Sequence, residues 1–182
     1  MLKRLLTAAA GVAMLCTGAQ AGEVRVGLGW HDITDTEYGM DVQGEIVFDS
    51  PGFLQRIGEL KPYLVASTNT EGNLNFAGGG LQYDRFITEN WFAEFQFGII
   101  VHDGRIELPP PWEPVERQHV LDTEKTYGCE TLFHSVPAIG RKINDRWAAS
   151  MYLEHLSHGK ILCSTGKNEG NDTLGLRLHR TF

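Results

Sequence analysis

A short stretch near the end of the chain carries the residues best suited to do chemistry. Residues 154–158 read Glu-His-Leu-Ser-His, and Glu169 follows twelve positions after Ser157. A hydroxyl, an imidazole and a carboxylate are the three groups of a serine-hydrolase triad. The sequence therefore predicts an ester hydrolase in which Ser157 is the nucleophile, His155 is its general base and Glu169 orients the imidazole.

The spacing of the histidine and the serine decides where they point. Because His155 and Ser157 are two positions apart, a β-strand would send both side chains to the same face. From Trp147 onward the positions of that parity are the more apolar set, so they are predicted to face lipid. Backbone amides near His158 and Gly159 are the expected donors to an oxyanion. The predicted site thus lies at the outer end of a lipid-facing row.

The pattern His-x-Ser has little specificity on its own. Polar residues also occur at the rim of a membrane protein, where lipid gives way to headgroups, and both residues would fit there without a catalytic role. An ionisable side chain that faces hydrocarbon is costly, which makes it a functional candidate. At the level of this motif, the catalytic and the structural interpretation both stay open.

The first 21 residues are predicted to be a secretory signal peptide and not part of the fold. Lys3 and Arg4 give a basic start, an apolar run follows, and Ala-Gln-Ala at positions 19–21 is a small-residue cleavage site. Cleavage after Ala21 would leave residues 22–182 as one domain. Without Lys3 and Arg4, 14 of the 16 basic residues remain against 23 acidic ones, a net charge of −9. An acidic chain argues against nucleic acid as a partner.

Two cysteines remain after the predicted signal peptide, Cys129 and Cys163. In an oxidising compartment they could pair, but sequence alone does not place them within bridging distance. Neither lies in a C-x-x-C pair or another metal-ligand spacing. The sequence therefore predicts no metal site and no cofactor, and it leaves the state of the two cysteines open.

Short segments of alternating polarity, separated by Gly, Asn and Asp, run through the rest of the chain. Each is about ten residues long, the length that a tilted strand needs to cross a bilayer. They predict an all-β protein, an eight-stranded antiparallel up-and-down transmembrane β-barrel. The predicted strands are residues 24–33, 40–49, 61–70, 73–86, 90–102, 127–143 with an interruption at Pro137, 146–158 and 173–182.

A soluble lipocalin-like barrel would alternate in the same way, with its apolar face turned inward. Three features favour a membrane barrel in the bacterial outer membrane. The signal peptide exports the chain, and Phe182 ends an alternating strand as in bacterial outer-membrane proteins. The minority face of the strands is polar, which suits the interior of a small membrane barrel. Its members include Asp41, Gln43, Glu45, Glu94 and Gln96.

Loop lengths indicate the direction of the barrel. With a periplasmic N-terminus, the first, third, fifth and seventh connections lie outside the cell, where long loops are expected. The fifth, residues 103–125, is the longest, and the seventh spans residues 159–172. The connection 50–60 is long for a periplasmic turn, and a short helical turn is expected at 53–57.

The last third of the chain resembles the outer-membrane lipid A 3-O-deacylase (PagL) family. The motifs that carry the resemblance occur in order: Phe133-His134-Ser135-Val136-Pro137, Gly140, Arg146-Trp147, Glu154-His155-Leu156-Ser157, Asn168-Glu169-Gly170 and the terminal Phe182. The first two thirds match the family in strand count and signal peptide. In ordered combination these motifs are far more specific than His-x-Ser alone.

The resemblance implies an eight-stranded outer-membrane barrel whose substrate is the lipid A of lipopolysaccharide. It implies hydrolysis of the ester that joins a 3-hydroxyacyl chain to the 3 position of lipid A, without a metal. His155, Ser157 and Glu169 fall where the family has its catalytic triad. His158 departs from the family, which usually has Asn after the serine, and this departure bears on the oxyanion arrangement.

Two other functions stay open at this point. A non-enzymatic barrel, structural or adhesive, would use the long loop 103–125, and a phospholipase would use the same triad on another lipid. The sequence does not decide the acyl-chain preference, the regulation or the oligomeric state, a homodimer included.

Overall fold

The computed structural model describes residues 21–34, 36–164 and 166–182, which fold into a closed barrel of eight antiparallel strands. Each strand pairs with its neighbours in chain order, and the first strand closes on the last. The predicted eight-stranded barrel is confirmed, whereas the predicted signal peptide, apart from Ala21, lies outside the described residues. The strands are β1 Ala21–Trp30, β2 Met40–Phe48, β3 Lys61–Asn69, β4 Phe76–Phe86, β5 Trp91–His102, β6 Thr131–Lys142, β7 Trp147–Ser157 and β8 Asn171–Thr181.

Alternation along each strand separates a lipid-facing surface from a polar lumen. In β5, Phe95 and Phe97 are exposed on the outer wall, while Glu94 and Gln96, which alternate with them, are buried. The same period of two holds in β1, β2, β7 and β8. Large apolar side chains therefore cover the outside, as a surface in contact with acyl chains requires. The sequence predicted this choice of faces correctly.

Paired charges fill the lumen. Arg25 donates to Glu94 at 3.0 Å, and Arg177 donates to Glu45 and, at 3.1 Å, to Gln96. Buried charges are tolerated when they are paired and hydrogen-bonded, and each of these arginines has a carboxylate partner in the lumen. The lumen thus acts as a rigid polar core.

A second hydrogen-bond network in the lumen is centred on Glu154. The ring of His134 bonds Glu154 at 2.8 Å through Nε2 and the Tyr63 hydroxyl at 2.7 Å through Nδ1. Gln43 donates to the same oxygen of Glu154 at 2.7 Å. His134 and Glu154 therefore serve as structural hydrogen-bond partners of the lumen.

Short turns join the strands at one end and long loops join them at the other. Residues 87–90 and 143–146 are short turns at the end that is predicted to face the periplasm, and the longer connection 49–60 at that end contains helix α1, Gly52–Gln55. The opposite end, predicted to face outward, is called the outer end. At the outer end, the loop 103–130 contains helix α2, Pro114–Thr123, and the loop 158–170 joins β7 to β8. No helix in the described part of the chain is long and apolar enough to cross a membrane.

Two strands differ from their predicted bounds in ways that matter for the site. β6 runs through Pro137, which pairs with Phe95 of β5, so the expected interruption is wrong for the strand. On the β7 side, pairing lapses between Ser135 and Ala138, because proline has no N–H to give to that ladder. β8 begins at Asn171, two residues before the predicted start.

A buried histidine ties the first outer loop to the barrel. His31 contacts Asp41 through Nδ1 at 2.9 Å and Glu37 through Nε2 at 3.2 Å. Glu37 also accepts from the backbone N–H of Lys125 at 2.8 Å and from the Tyr127 hydroxyl at 3.0 Å. Burial favours the neutral ring, but the two carboxylates outweigh it and raise the pKa of His31 to about 9.

The stability of the barrel is expected to fall as this histidine loses its proton. Because the folded-state pKa of about 9 lies above the ordinary 6.5, the stabilisation is complete below pH 6.5 and is lost as the pH rises through 9. Melting followed by circular dichroism should therefore give a lower Tm above pH 9 than at pH 6.5. In the control variant His31→Gln this part of the decline should vanish; an unchanged decline would contradict the assignment.

Candidate active site

His155 and Ser157 meet on the outer wall at the outer end of β7. His155 Nε2 lies 3.1 Å from Ser157 Oγ, and half of the His155 side chain, 51 %, is exposed. Both side chains share the face of Met151 and Leu153, which are exposed apolar residues. The predicted pair is therefore hydrogen-bonded and turned toward lipid, in the geometry of a nucleophile and its general base.

The carboxylate at the other side of the ring belongs to Asp172. Asp172 is directly opposite His155 in the β7–β8 ladder, so strand register alone brings the two side chains together. His155 Nδ1 lies 2.7 Å from Asp172 Oδ1. An N–H on Nδ1 that donates to this carboxylate leaves Nε2 as the acceptor for the Ser157 hydroxyl. The order nucleophile, imidazole, carboxylate is thus complete within two strands.

Glu169, the predicted third member, is engaged elsewhere. Its Oε2 accepts from the backbone N–H of Thr126 at 2.6 Å, and its Oε1 pairs with Lys167 at 2.7 Å. The structure brings Asp172, and not Glu169, to the imidazole. The sequence prediction started β8 at residue 173, which left Asp172 in the loop and hid its register opposite His155.

The backbone near His158 and Gly159 was predicted to donate hydrogen bonds to an oxyanion, and one of these N–H groups already has a partner. The backbone N–H of His158 donates to the Asn168 side chain at 3.1 Å, so this predicted donor is in use. Gly159, with φ 59°, forms the turn that follows. Gly170, with φ 67°, lies against the pair: a Cβ there would be 3.6 Å from His155 Cε1 and 3.8 Å from Ser157 Cβ. The backbone of Gly170 therefore forms one side of the site.

Two connections hold the outer loops together next to the site. Cys129 and Cys163 form a disulfide with a Cα–Cα distance of 6.0 Å, which settles the pairing that the sequence left open. The bond between Thr126 and Glu169 joins the same two loops, 103–130 and 158–170. The loop that borders Ser157 is thus fixed by covalent and polar links to its neighbour.

An aromatic surface adjoins the nucleophile on the β6 side. Phe133 pairs with Ser157 across the ladder, and its ring stacks on Phe97 with centroids 5.5 Å apart. Ile99 follows in the next strand and is exposed. The nucleophile therefore borders an apolar wall on which an acyl chain can lie.

A second arrangement of serine, histidine and carboxylate, which the sequence analysis missed, lies inside the barrel. Ser150 Oγ is 2.7 Å from His179 Nε2, and His179 Nδ1 is 2.8 Å from Glu23. Ser150 is only 4 % exposed and faces the lumen, so a lipid in the bilayer has no direct approach to it. We interpret this row as part of the interior network.

Within the described part of the chain, no group of three or more His, Cys, Asp or Glu side chains is arranged to hold a metal ion.

The comparison with protein families decides which family the chain belongs to. The family described as "Lipid A 3-O-deacylase (PagL)" matches residues 22–181. The chain belongs to the PagL family. As a member of the PagL family with a closed barrel, it is an outer-membrane protein.

Solved structures agree on the architecture. The crystal structure of the outer membrane enzyme PagL has a TM-score of 0.59 at 14 % identity, covering 88 % of this chain and 99 % of that one. Neisserial surface protein A has the same TM-score at 12 % identity, covering 91 % and 99 %. At these identities the likeness establishes the barrel fold that PagL shares with other proteins. Among curated proteins, the sequence has no match.

Proposed function

We propose that this protein is a lipid A 3-O-deacylase that uses Ser157, His155 and Asp172. The observation that carries the proposal is the hydrogen-bonded row of these three side chains, with Nε2 at 3.1 Å from the hydroxyl and Nδ1 at 2.7 Å from the carboxylate. Membership of the PagL family supports lipid A as the substrate. The lipid-facing position of the row near the outer loops suits an ester in the outer leaflet.

The reaction follows the logic of a serine esterase. Ser157 Oγ attacks the carbonyl carbon of the acyl ester while His155 Nε2 takes the hydroxyl proton. When the tetrahedral intermediate collapses, the carbon–oxygen bond to the sugar breaks, and Nε2 returns the proton to the leaving 3-oxygen. Water then attacks the acyl-enzyme with the same base, releasing a 3-hydroxy fatty acid and free Ser157. Asp172 holds the ring and stabilises its charged form throughout.

We propose that the donors for the oxyanion come from the loop 158–170. Because the N–H of His158 is bonded to Asn168, the backbone amides of Gly159 and Gly170 and the side-chain N–H groups of Asn168 are the better candidates. All three flank Ser157 in the chain or in space. We propose that this arrangement takes the place of the Asn that usually follows the serine in the family.

One observation favours a second candidate function. Trp112 and Val115 of the loop 103–130 are 79 % and 84 % exposed, as in a surface that binds a partner. A non-enzymatic binding barrel would use this loop and leave lipids unchanged. A phospholipase would use the same three residues on a different ester.

Purified protein in detergent micelles should distinguish the three functions. We expect incubation with lipid A to release a 3-hydroxy fatty acid, and the mass of the remaining lipid to fall by that acyl group. A phospholipid of matched chain length should stay intact in a parallel incubation. Mass spectrometry of both lipids is the measurement. Hydrolysis of the phospholipid alone would favour a phospholipase, and two intact lipids would favour a binding barrel.

A further inference from the structure

A cavity of about 310 Å³ opens on the outer wall beside the site. Its floor is formed by Ala77 of β4, Val101 of β5 and Thr131 of β6, which are direct partners across the two ladders. All three have the outward parity of their strands. The floor of the cavity therefore lies on the outer wall, and Phe76 and His102, which have the inward parity of their strands, complete its lining.

The outer loops form the roof of this cavity. Asp103 accepts from the backbone N–H of Asn75 at 2.7 Å and from its side chain at 2.8 Å, which fixes the two loop edges to each other. Gly104 is packed against Tyr127: a Cβ at this position would lie 2.8 Å from the tyrosine ring. The roof is thus held by specific contacts, so the cavity is a built feature of the outer rim.

The cavity adjoins the catalytic row through the aromatic wall. Ser157 pairs with Phe133, and Phe133 pairs with Ile99, one side-chain step below the row of Thr131 and Val101. With strands about 4.8 Å apart and a rise of about 3.4 Å per residue, Val101 lies about 12 Å from Ser157 along the sheet. One lipid with several chains on a single headgroup can span that distance.

The chemistry of the lining selects hydrocarbon over a headgroup. The floor is mostly apolar, and the roof presents the carboxylates of Asp103 and Glu130, with no lysine or arginine among the lining residues. A lipid phosphate would meet negative charge there and no cation to bind it. A hydrocarbon chain that enters from the bilayer side meets no such barrier.

We propose that this cavity binds a second acyl chain of the same lipid whose ester is held at Ser157. The proposal rests on the proposed function, because it takes a multiply acylated lipid as the substrate. It makes Ala77 and Val101 residues that determine specificity without touching the reacting atoms. The enzyme would then recognise the number of acyl chains through the distance between two sites on its outer wall.

The test fills the cavity and compares two substrates. Ala77→Trp should raise the KM for multiply acylated lipid A about tenfold, as the loss of about two buried methylene groups would. Hydrolysis of a short p-nitrophenyl ester, which has a single chain, should keep its kcat/KM within about twofold, since Ala77 lies about three strands from Ser157. Ala93→Trp is the matched control, because Ala93 lies on the outward face of β5, as Val101 does, but near the other end of that strand. It should leave both substrates unaffected.

The possible results distinguish a failure of the second-chain site from a failure of the proposed function. An unchanged KM for lipid A in Ala77→Trp, or an equal loss on both substrates, would overturn the second-chain site while leaving the esterase in place. A wild-type protein that cleaves the p-nitrophenyl ester but not lipid A would instead overturn the proposed function, and the second-chain site with it.

Discussion

Replacing Ser157 by alanine is expected to abolish the release of fatty acid from lipid A, with a loss of at least about 10³-fold in kcat. The reason is that the attacking oxygen is removed, while the wall that holds the substrate is untouched. Ser157 is partly exposed at the end of β7 and its side chain bonds only His155 among the contacts described, so the barrel should fold normally. Mass spectrometry of lipid A gives the activity, and the heat-dependent mobility of the barrel in detergent gels gives the fold.

The barrel supplies a matched control for this substitution. Ser150 is on the same strand and is also bonded to a histidine, but it points into the lumen. Ser150→Ala should keep activity within about twofold, at a stability cost of about 1–3 kcal/mol for the unpaired partner. Full activity in Ser157→Ala would contradict the role of Ser157 as the nucleophile. Loss of activity only in Ser150→Ala would place the active site in the lumen.

Asp172→Asn is expected to lower kcat by about 10²–10⁴-fold with little change in KM. An amide at this position no longer stabilises the charged imidazole, and its N–H₂ group can reverse the hydrogen bond to Nδ1 and impose the wrong tautomer. The substrate surface does not change, because the two side chains have nearly the same shape. Steady-state kinetics on lipid A gives kcat and KM separately. Because a smaller folded fraction would also lower the apparent kcat at unchanged KM, the heat-dependent mobility in detergent gels must show that the variant is folded.

The counterpart of this prediction concerns Glu169, the residue that the sequence predicted to be the acid. Glu169→Gln should lower kcat by no more than about fivefold. Glutamine retains an oxygen for the Thr126 N–H, and the exposed pair with Lys167 contributes little. A severe loss in Glu169→Gln combined with a mild one in Asp172→Asn would assign the acid to Glu169 and would mean that the loop 158–170 rearranges around the substrate.

The sequence predicts the barrel well because its signal is local and repeated. A period of two over about ten residues identifies both the strand and the face that each residue occupies, as the run from Trp91 to His102 illustrates. The outward direction of His155 and Ser157 followed from the same rule. The alternative of a buried, lumen-facing pair would have required a shift of one residue along β7.

The acid at His155 was not predictable from spacing, because it depends on where β8 begins. Two residues, Asn171 and Asp172, follow Gly170 and look like part of a polar loop, yet they pair with Leu156 and His155. Element ends are the least certain part of a sequence prediction. Contacts between loops are also invisible at this stage, since Thr126 and Glu169 are 43 positions apart in the chain.

The position of the nucleophile outside the barrel wall changes how the proposed enzyme meets its substrate. Encounter happens by diffusion in two dimensions, without extraction of the lipid into water and without passage through a pore. The turnover rate therefore depends on the mole fraction of lipid A in the leaflet or micelle, so added inert detergent slows the reaction at constant total lipid. The interior salt bridges need not open during a catalytic cycle. A filled lumen is therefore compatible with catalysis on the outer wall of the same small barrel.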